Sequence, residues 1–274
     1  MATERKRIDV MLTERGYFPS RSAARAALMA GLVFVDGCKV DKAGTLVAAE
    51  ITITVRELPR YVSRGGLKLE KALCDFKLDV AGRIALDVGA STGGFTDCLL
   101  QHGALKVYSV DVGYGQLDWR LRQDKRVISL ERTNIRRLLP EQITAQLEFA
   151  TVDVSFISLR HVLPVLKLFN VPEAVVLVKP QFEVGKGRVG KKGVVRDPQE
   201  HQEVLENVIS FAAKEGYQLG GMTFSPIKGP EGNIEYLVYL TVSRPAVPAE
   251  DSTAIVATAH EWLAEKGDRP ATNE

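Results

Sequence analysis

The chain has 274 residues, room for one large domain and a small one. An apolar fraction of 45% with a charged fraction of 26% excludes a disordered or collagen-like chain. The net charge of +2 is too small to name a partner, so affinity for a polyanion must come from local patches.

Cys38, Cys74 and Cys98 form no C-x-x-C pair and have no histidine at metal-ligand spacing, so no metal site is expected. An odd, scattered set of thiols fits a reducing compartment. The opening MATERKRIDV lacks the apolar core of a signal peptide, and no run reaches membrane-spanning length. These features predict a cytoplasmic protein that does not act in a membrane.

Residues 1–56 read as a compact unit. Ile8, Val10, Met11 and Leu12 suit a short amphipathic helix closed by Gly16. Ser20 is placed to cap a second helix, with Ala23, Ala24, Ala27 and Leu28 facing inward and Gly31 ending it. Two or three short strands follow. Val33–Val35 runs into Asp36-Gly37, a hairpin turn signal, then Lys39-Val40, and residues 51–55 alternate as a strand does. Arg21 and Arg25 are one helical turn apart and share a face.

Residues 57–62, with Pro59, read as a linker. A helix is expected over 63–76 with Ser63 as cap. From residue 84 onward strands (84–88, 106–111, 127–130, 147–153, 174–179, 217–225, 234–242) alternate with helices (94–102, 116–123, 158–169, 198–215). That alternation predicts a mostly parallel sheet covered on both faces, over a domain of residues 63–243. The turn-rich SPIKGPEGN predicts that the last two strands pair antiparallel. Residues 244–274 read as a tail with one helix near 252–266.

The stretch LDVGASTGGFT joins a buried strand to a helix through a glycine-rich turn. Gly89, Gly93 and Gly94 let backbone approach a ligand, and helix N-terminal amides suit its carboxylate or ribose end. The spacing is not the G-x-G-x-x-G of a dinucleotide site, and Asp87 before the first glycine would repel a pyrophosphate. Asp111, ending the next strand, is placed to accept the hydroxyls of a ribose. The candidate nucleoside-cofactor residues are Asp87, Gly89, Ala90, Ser91, Gly93, Gly94, Phe95 and Asp111.

Four ionisable residues interrupt apolar elements. Lys68 lies in SRGGLKLEKAL, Asp153 ends FATVDV, Lys179 ends AVVLVKP, and Glu235 enters NIEYLVYL. Ligands of parallel sheets bind beyond the carboxyl ends of strands, where Asp153 and Lys179 fall. Glu235 opens an oppositely directed strand and reaches the same edge, and Lys68 on the preceding helix is within reach of it. Singly, each has an ordinary reading as a snorkelling lysine, a helix cap or an edge-strand charge.

The motifs RID, SR, GLV with VDG, and then SRGGLKLEKAL, LDVGASTGGFTDCLL, DVSFISL, VKPQFE and GNIEYL resemble one known combination. The N-terminal unit is similar to the RNA-binding domain first seen in the fourth small-subunit ribosomal protein. The remainder resembles the FtsJ-type ribose 2′-O-methyltransferases, and together they resemble the TlyA, or haemolysin A-like, family. The resemblance implies a Rossmann-like α/β methyltransferase sheet behind a small α+β RNA-binding domain. It implies methyl transfer from S-adenosylmethionine to a ribose 2′-hydroxyl of ribosomal RNA, free or within ribosomal subunits. It further implies catalytic roles for Lys68, Asp153, Lys179 and Glu235. Thr92 stands where the FtsJ turn usually has proline. Arg7, Arg21, Arg25 and Lys39 would face RNA. The glycine-rich EVGKGRVGKKGVVRD is expected to be a phosphate clamp through Lys186, Arg188, Lys191 and Lys192.

Other readings make different demands. A base methyltransferase would need an N-P-P-Y motif or a nucleophilic cysteine, and DVSF stands in that place. A non-catalytic RNA-binding or assembly factor would not need the four ionisable residues. A membrane-lysing protein would need a spanning or strongly amphipathic basic segment. His102, His161, His201 and His260 are far apart in sequence and receive no role, and Trp119 is expected to pack in the core or a lid.

Overall fold

The computed structural model describes residues 5–56, 59–185, 187–190, 193–242 and 252–265. The chain divides into two compact units, Met1–Arg60 and Tyr61–Glu274.

In the first unit β1 (Arg5–Arg7) leads directly into α1 (Ile8–Glu14), and α2 (Arg21–Met29) follows. The Ser20 side chain accepts from the Ala23 amide and caps α2. Strands β2 (Val33–Val35), β3 (Cys38–Lys39), β4 (Leu46–Ala48) and β5 (Ile53–Val55) complete the unit. β3, β2 and β5 form an antiparallel sheet, and β1 pairs antiparallel with β4. The β1–β4 pair is absent from the sequence reading because RKR carries no apolar alternation. Ile8, Leu12, Ala24, Leu28 and Val33 fill a small core.

The second unit starts before residue 63. Tyr61 and Val62, read as linker, pack in its core, and the Val62 amide donates to Asp97 at 2.8 Å. The elements are α3 (Gly65–Asp75), β6 (Ile84–Val88), α4 (Gly94–Gln101), β7 (Lys106–Val110), α5 (Trp119–Gln123) and β8 (Val127–Leu130). Then come β9 (Phe149–Val152), α6 (Leu163–Leu168), β10 (Glu173–Val178), α7 (Pro180–Glu183) and α8 (Pro198–Lys214). β11 (Gln218–Phe224), β12 (Tyr236–Thr241) and α9 (Ser252–Glu265) end the described chain. The expected 158–169 helix is broken into a 3-10 turn at Leu159–His161 and α6, with Pro164 in the first turn of α6.

The seven strands run in the order β11-β12-β10-β9-β6-β7-β8. β6 to β10 are parallel, and β12 is antiparallel to both neighbours. Side chains alternate between two cores. Ala85, Val107, Phe149, Val175 and Leu237 face α3, α4 and α5. Leu86, Tyr108, Ala150, Val176 and Val238 face α6, α8 and α9. Burial on both faces explains the nearly unbroken apolar strands. α9 is part of this body, since Val256, Ala259 and Leu263 are buried in the second core. No helix among the described residues is long and apolar enough to cross a membrane.

Candidate active site

The four ionisable residues resolve into two ion pairs. Lys68 on α3 pairs with Glu235 at the head of β12. Lys179 Nζ, just past β10, is 2.6 Å from Asp153 Oδ1, just past β9, and donates to Ser155 Oγ at 3.0 Å. Lys68 shares the buried face of α3 with Leu69 and Ala72. A lysine tolerates that position only with a partner, because burying an unpaired charge costs several kcal/mol. The link before β12 must be bare to admit the carboxylate, as a Cβ on Gly229 would lie 2.7 Å from Glu235 Oε1. Lys68 and Asp153 line a common groove of about 220 Å3 with Gly89, Ser91 and Lys228.

The glycine turn forms the floor of that groove. Gly89 has φ +84°, and a Cβ there would lie 2.3 Å from the Asp153 carbonyl oxygen. Gly94 opens α4, where a Cβ would be 2.3 Å from Ser63 Oγ and 2.9 Å from the Gly66 amide. The start of α4 therefore packs directly on the start of α3, bringing Lys68 to the turn. Asp111 accepts from the Ser91 amide at 2.8 Å and the Gly113 amide at 2.6 Å. Beyond it opens a cavity of about 460 Å3 lined by Gly89, Asp111, Asn134, Ile135, Asp153 and Phe156. The two spaces share Gly89, Ser91 and Asp153, so a ligand of nucleoside size can bend around the turn from one to the other.

Asp87 does not face this space, contrary to expectation. It is wholly buried, accepting from Thr96 Oγ1 at 2.6 Å and Thr151 Oγ1 at 2.9 Å. Burial pushes its carboxyl up to about 6 against the pull of those hydroxyls. Its role is to tie β6, α4 and β9 together beneath the turn.

The expected RNA-facing arginines of the N-terminal unit gather on one acid. Arg7, Arg21 and Arg25 converge on Asp9, which is fully buried. Arg7 makes two bonds to it, at 3.0 and 3.1 Å, while Arg21 (3.0 Å) and Arg25 (3.1 Å) make one each. The Arg7 guanidinium, helped by Arg21 and Arg25, holds the Asp9 carboxyl well below the usual range. One carboxylate thus presents three half-exposed guanidiniums as a preset fan. Lys39 is exposed beside Gly31. Arg188 is half-exposed and bound to α8 through Glu200 at 3.2 Å and Glu203 at 2.7 Å. Lys186, Lys191 and Lys192 lie outside the described residues.

Several residues at the site were missed. Phe156 projects 91% exposed with φ +64°, 5.0 Å from the Phe182 ring. Lys228 lines the groove beside Lys68 and Asp153 from the β11–β12 link. Trp119 is 65% exposed rather than packed. The histidines are not all isolated: His201 Nδ1 is 2.8 Å from Tyr236 Oη and 3.2 Å from His260 Nε2. Burial pushes His201 down to about 4. Among the described residues no group of three or more His, Cys, Asp or Glu is placed to hold a metal.

An FtsJ-like methyltransferase family model matches residues 61–242, and an S4 domain model matches residues 6–50. The chain is 50% identical over 275 residues to a Bacillus subtilis (strain 168) protein named as a candidate rRNA methyltransferase, YqxC, covering 97% of this chain and 98% of that protein. It is 47% identical over 240 residues to the 16S/23S rRNA (cytidine-2'-O)-methyltransferase TlyA of Mycobacterium tuberculosis (strain ATCC 25618 / H37Rv), covering 86% and 90%. A solved structure named as a candidate hemolysin from Streptococcus thermophilus superposes with a TM-score of 0.74 at 45% identity, covering 97% of this chain and 99% of that one.

Proposed function

This chain belongs to the FtsJ-like methyltransferase family, with an S4 domain at its N-terminus, and from that premise we propose that it methylates a ribose 2′-hydroxyl of ribosomal RNA. The observation that carries the reading is the pair of ion pairs beside the glycine turn, Lys179 with Asp153 and Lys68 with Glu235.

The donor is S-adenosylmethionine, which when bound supplies an electrophilic methyl carbon on a sulfonium. The chain's residues fit it. Asp111, fixed by two amides, offers carboxylate oxygens to ribose hydroxyls. Gly89 and the first turn of α4, which line the groove, would receive the amino-acid end. Asn134 and Ile135 line the cavity beyond, where the base is held.

A ribose hydroxyl is a poor nucleophile near neutral pH, so the protein must align it and ease loss of its proton. Lys179 is the residue that contacts the hydroxyl. Asp153 and Ser155 fix the Nζ position, so little motion is lost when substrate arrives. Glu235 holds Lys68 at the groove wall, where its charge faces the same space. Phe156, exposed beside Asp153, offers a face on which an unstacked target base lies. The arginine fan on Asp9 supplies phosphate contacts that read shape rather than sequence.

Mapping 2′-O-methyl positions on rRNA from cells with and without the gene tests the reading. A ribose position that loses its methyl group without the gene, and regains it with the wild-type gene but not with Lys179→Ala, is the expected outcome. Identical maps would refute it.

A further inference from the structure

The residue four positions after Lys179 is not used by the chemistry above. Glu183, the last residue of α7, turns back toward the loop that follows β9. Its Oε2 accepts from the Ser158 hydroxyl at 2.6 Å and its Oε1 from the Leu159 amide at 2.7 Å. Burial pushes this carboxyl above its ordinary range, and the two hydrogen bonds oppose that push. A half-buried carboxylate is kept there against a desolvation cost.

The same short segment grips the loop at its other end. Lys179 holds Asp153 and Ser155, while Glu183 holds Ser158 and Leu159. Between the two grips stands Phe156, in the left-handed region that a phenylalanine rarely adopts. Its ring meets Phe182, the neighbour of Glu183, at 5.0 Å and 51°. A strained, exposed residue persists only where its surroundings over-determine it. Here both grips come from residues 179–183.

We propose that Glu183 is a positioning residue for methyl transfer, clamping Ser158 and Leu159 so that Phe156 is presented to the target base in register with Lys179. The proposal rests on the base-stacking reading of Phe156 given above. Glu183 lines neither the groove nor the cavity of the proposed site, so its loss is felt in turnover and in RNA engagement and not in cofactor affinity.

The test is a double-mutant cycle on the full chain, reading single-turnover methyl transfer to rRNA and, separately, S-adenosylmethionine affinity. Phe156→Ala and Glu183→Ala are each expected to slow transfer, Glu183→Ala by on the order of tenfold and without change in cofactor affinity. The double variant is expected to be no slower than Phe156→Ala alone. Glu183→Gln is expected to restore most of the rate, because its amide oxygen accepts from Leu159 and its nitrogen donates to Ser158. Ser158→Ala removes one of the two hydrogen bonds to Glu183, together with the bond Ser158 accepts from the Arg160 amide, and is expected to show the same non-additivity with Phe156→Ala. A silent Phe156→Ala would remove the base-stacking reading and the proposal with it. An impaired Phe156→Ala together with an unaffected Glu183→Ala, or with additive losses, overturns the role of Glu183 alone.

Discussion

Lys68 and Glu235, 167 residues apart, meet as one buried ion pair that closes α3 onto the head of β12. The pair joins the helix that precedes β6 to β12, the last strand in chain order. Removing either member leaves the other charged and without its partner.

Glu235→Gln is therefore expected to destabilise the second unit by about 3–5 kcal/mol, the cost of leaving a buried charge unpaired. Lys68→Met combined with Glu235→Gln recovers much of that stability while leaving methyl transfer impaired. Urea denaturation with activity measured in parallel checks both. Equal stability of Glu235→Gln and wild type would show that the pair is not the fastening described.

Asp87 gives a pH signature of the glycine turn. Its carboxyl sits at about 6 when folded, because it is buried, against an ordinary value of about 3.9. The fold thus favours the protonated form. The stability this group confers is full below about pH 4 and is lost as pH rises through about 6, by on the order of 3 kcal/mol. Asp87→Asn, which can still bond Thr96 and Thr151, is expected to lose no stability in that window. Parallel pH–stability curves for the two proteins would contradict the burial argument.

The arginine fan predicts graded effects on RNA binding. Arg21→Ala and Arg25→Ala each weaken rRNA binding severalfold and lower the slope of log affinity against log salt by about one. Arg7→Ala does the same and also lowers the melting temperature of the N-terminal unit, because Arg7 is the bidentate holder of buried Asp9. Filter binding at three salt concentrations, with thermal melts, separates the two. An unchanged slope for Arg21→Ala and Arg25→Ala would remove the fan from the RNA interface.

What could be read from the sequence follows from how local each feature is. Lys68 and Glu235 were visible because each breaks an apolar pattern, and Asp153 and Lys179 because each ends a strand whose direction fixes its edge. The glycine turn was visible because its conformation demands glycine. Asp87 was misjudged because the pleat that turns it away from the groove depends on the neighbouring strands. Phe156 reads as one more apolar residue in SFISL, and nothing local tells that it stands outward with positive φ. His201 and His260 meet only because α9 folds back on α8, and Asp9 gathers its three arginines from two separate elements, β1 and α2. Such contacts belong to tertiary packing.

The proposed function turns on Lys179, fixed by Asp153, acting on the ribose hydroxyl beside the bound donor. Single-turnover transfer of a labelled methyl group from S-adenosylmethionine to rRNA, comparing wild type with Lys179→Ala at saturating RNA and donor, tests it most directly. Lys179→Ala is expected to lose at least 100-fold, on the order of magnitude for removing the group that aligns the hydroxyl and eases loss of its proton, with donor and RNA affinities within about twofold of wild type. Undiminished transfer by Lys179→Ala, or a loss that saturating RNA and donor abolish, would contradict it.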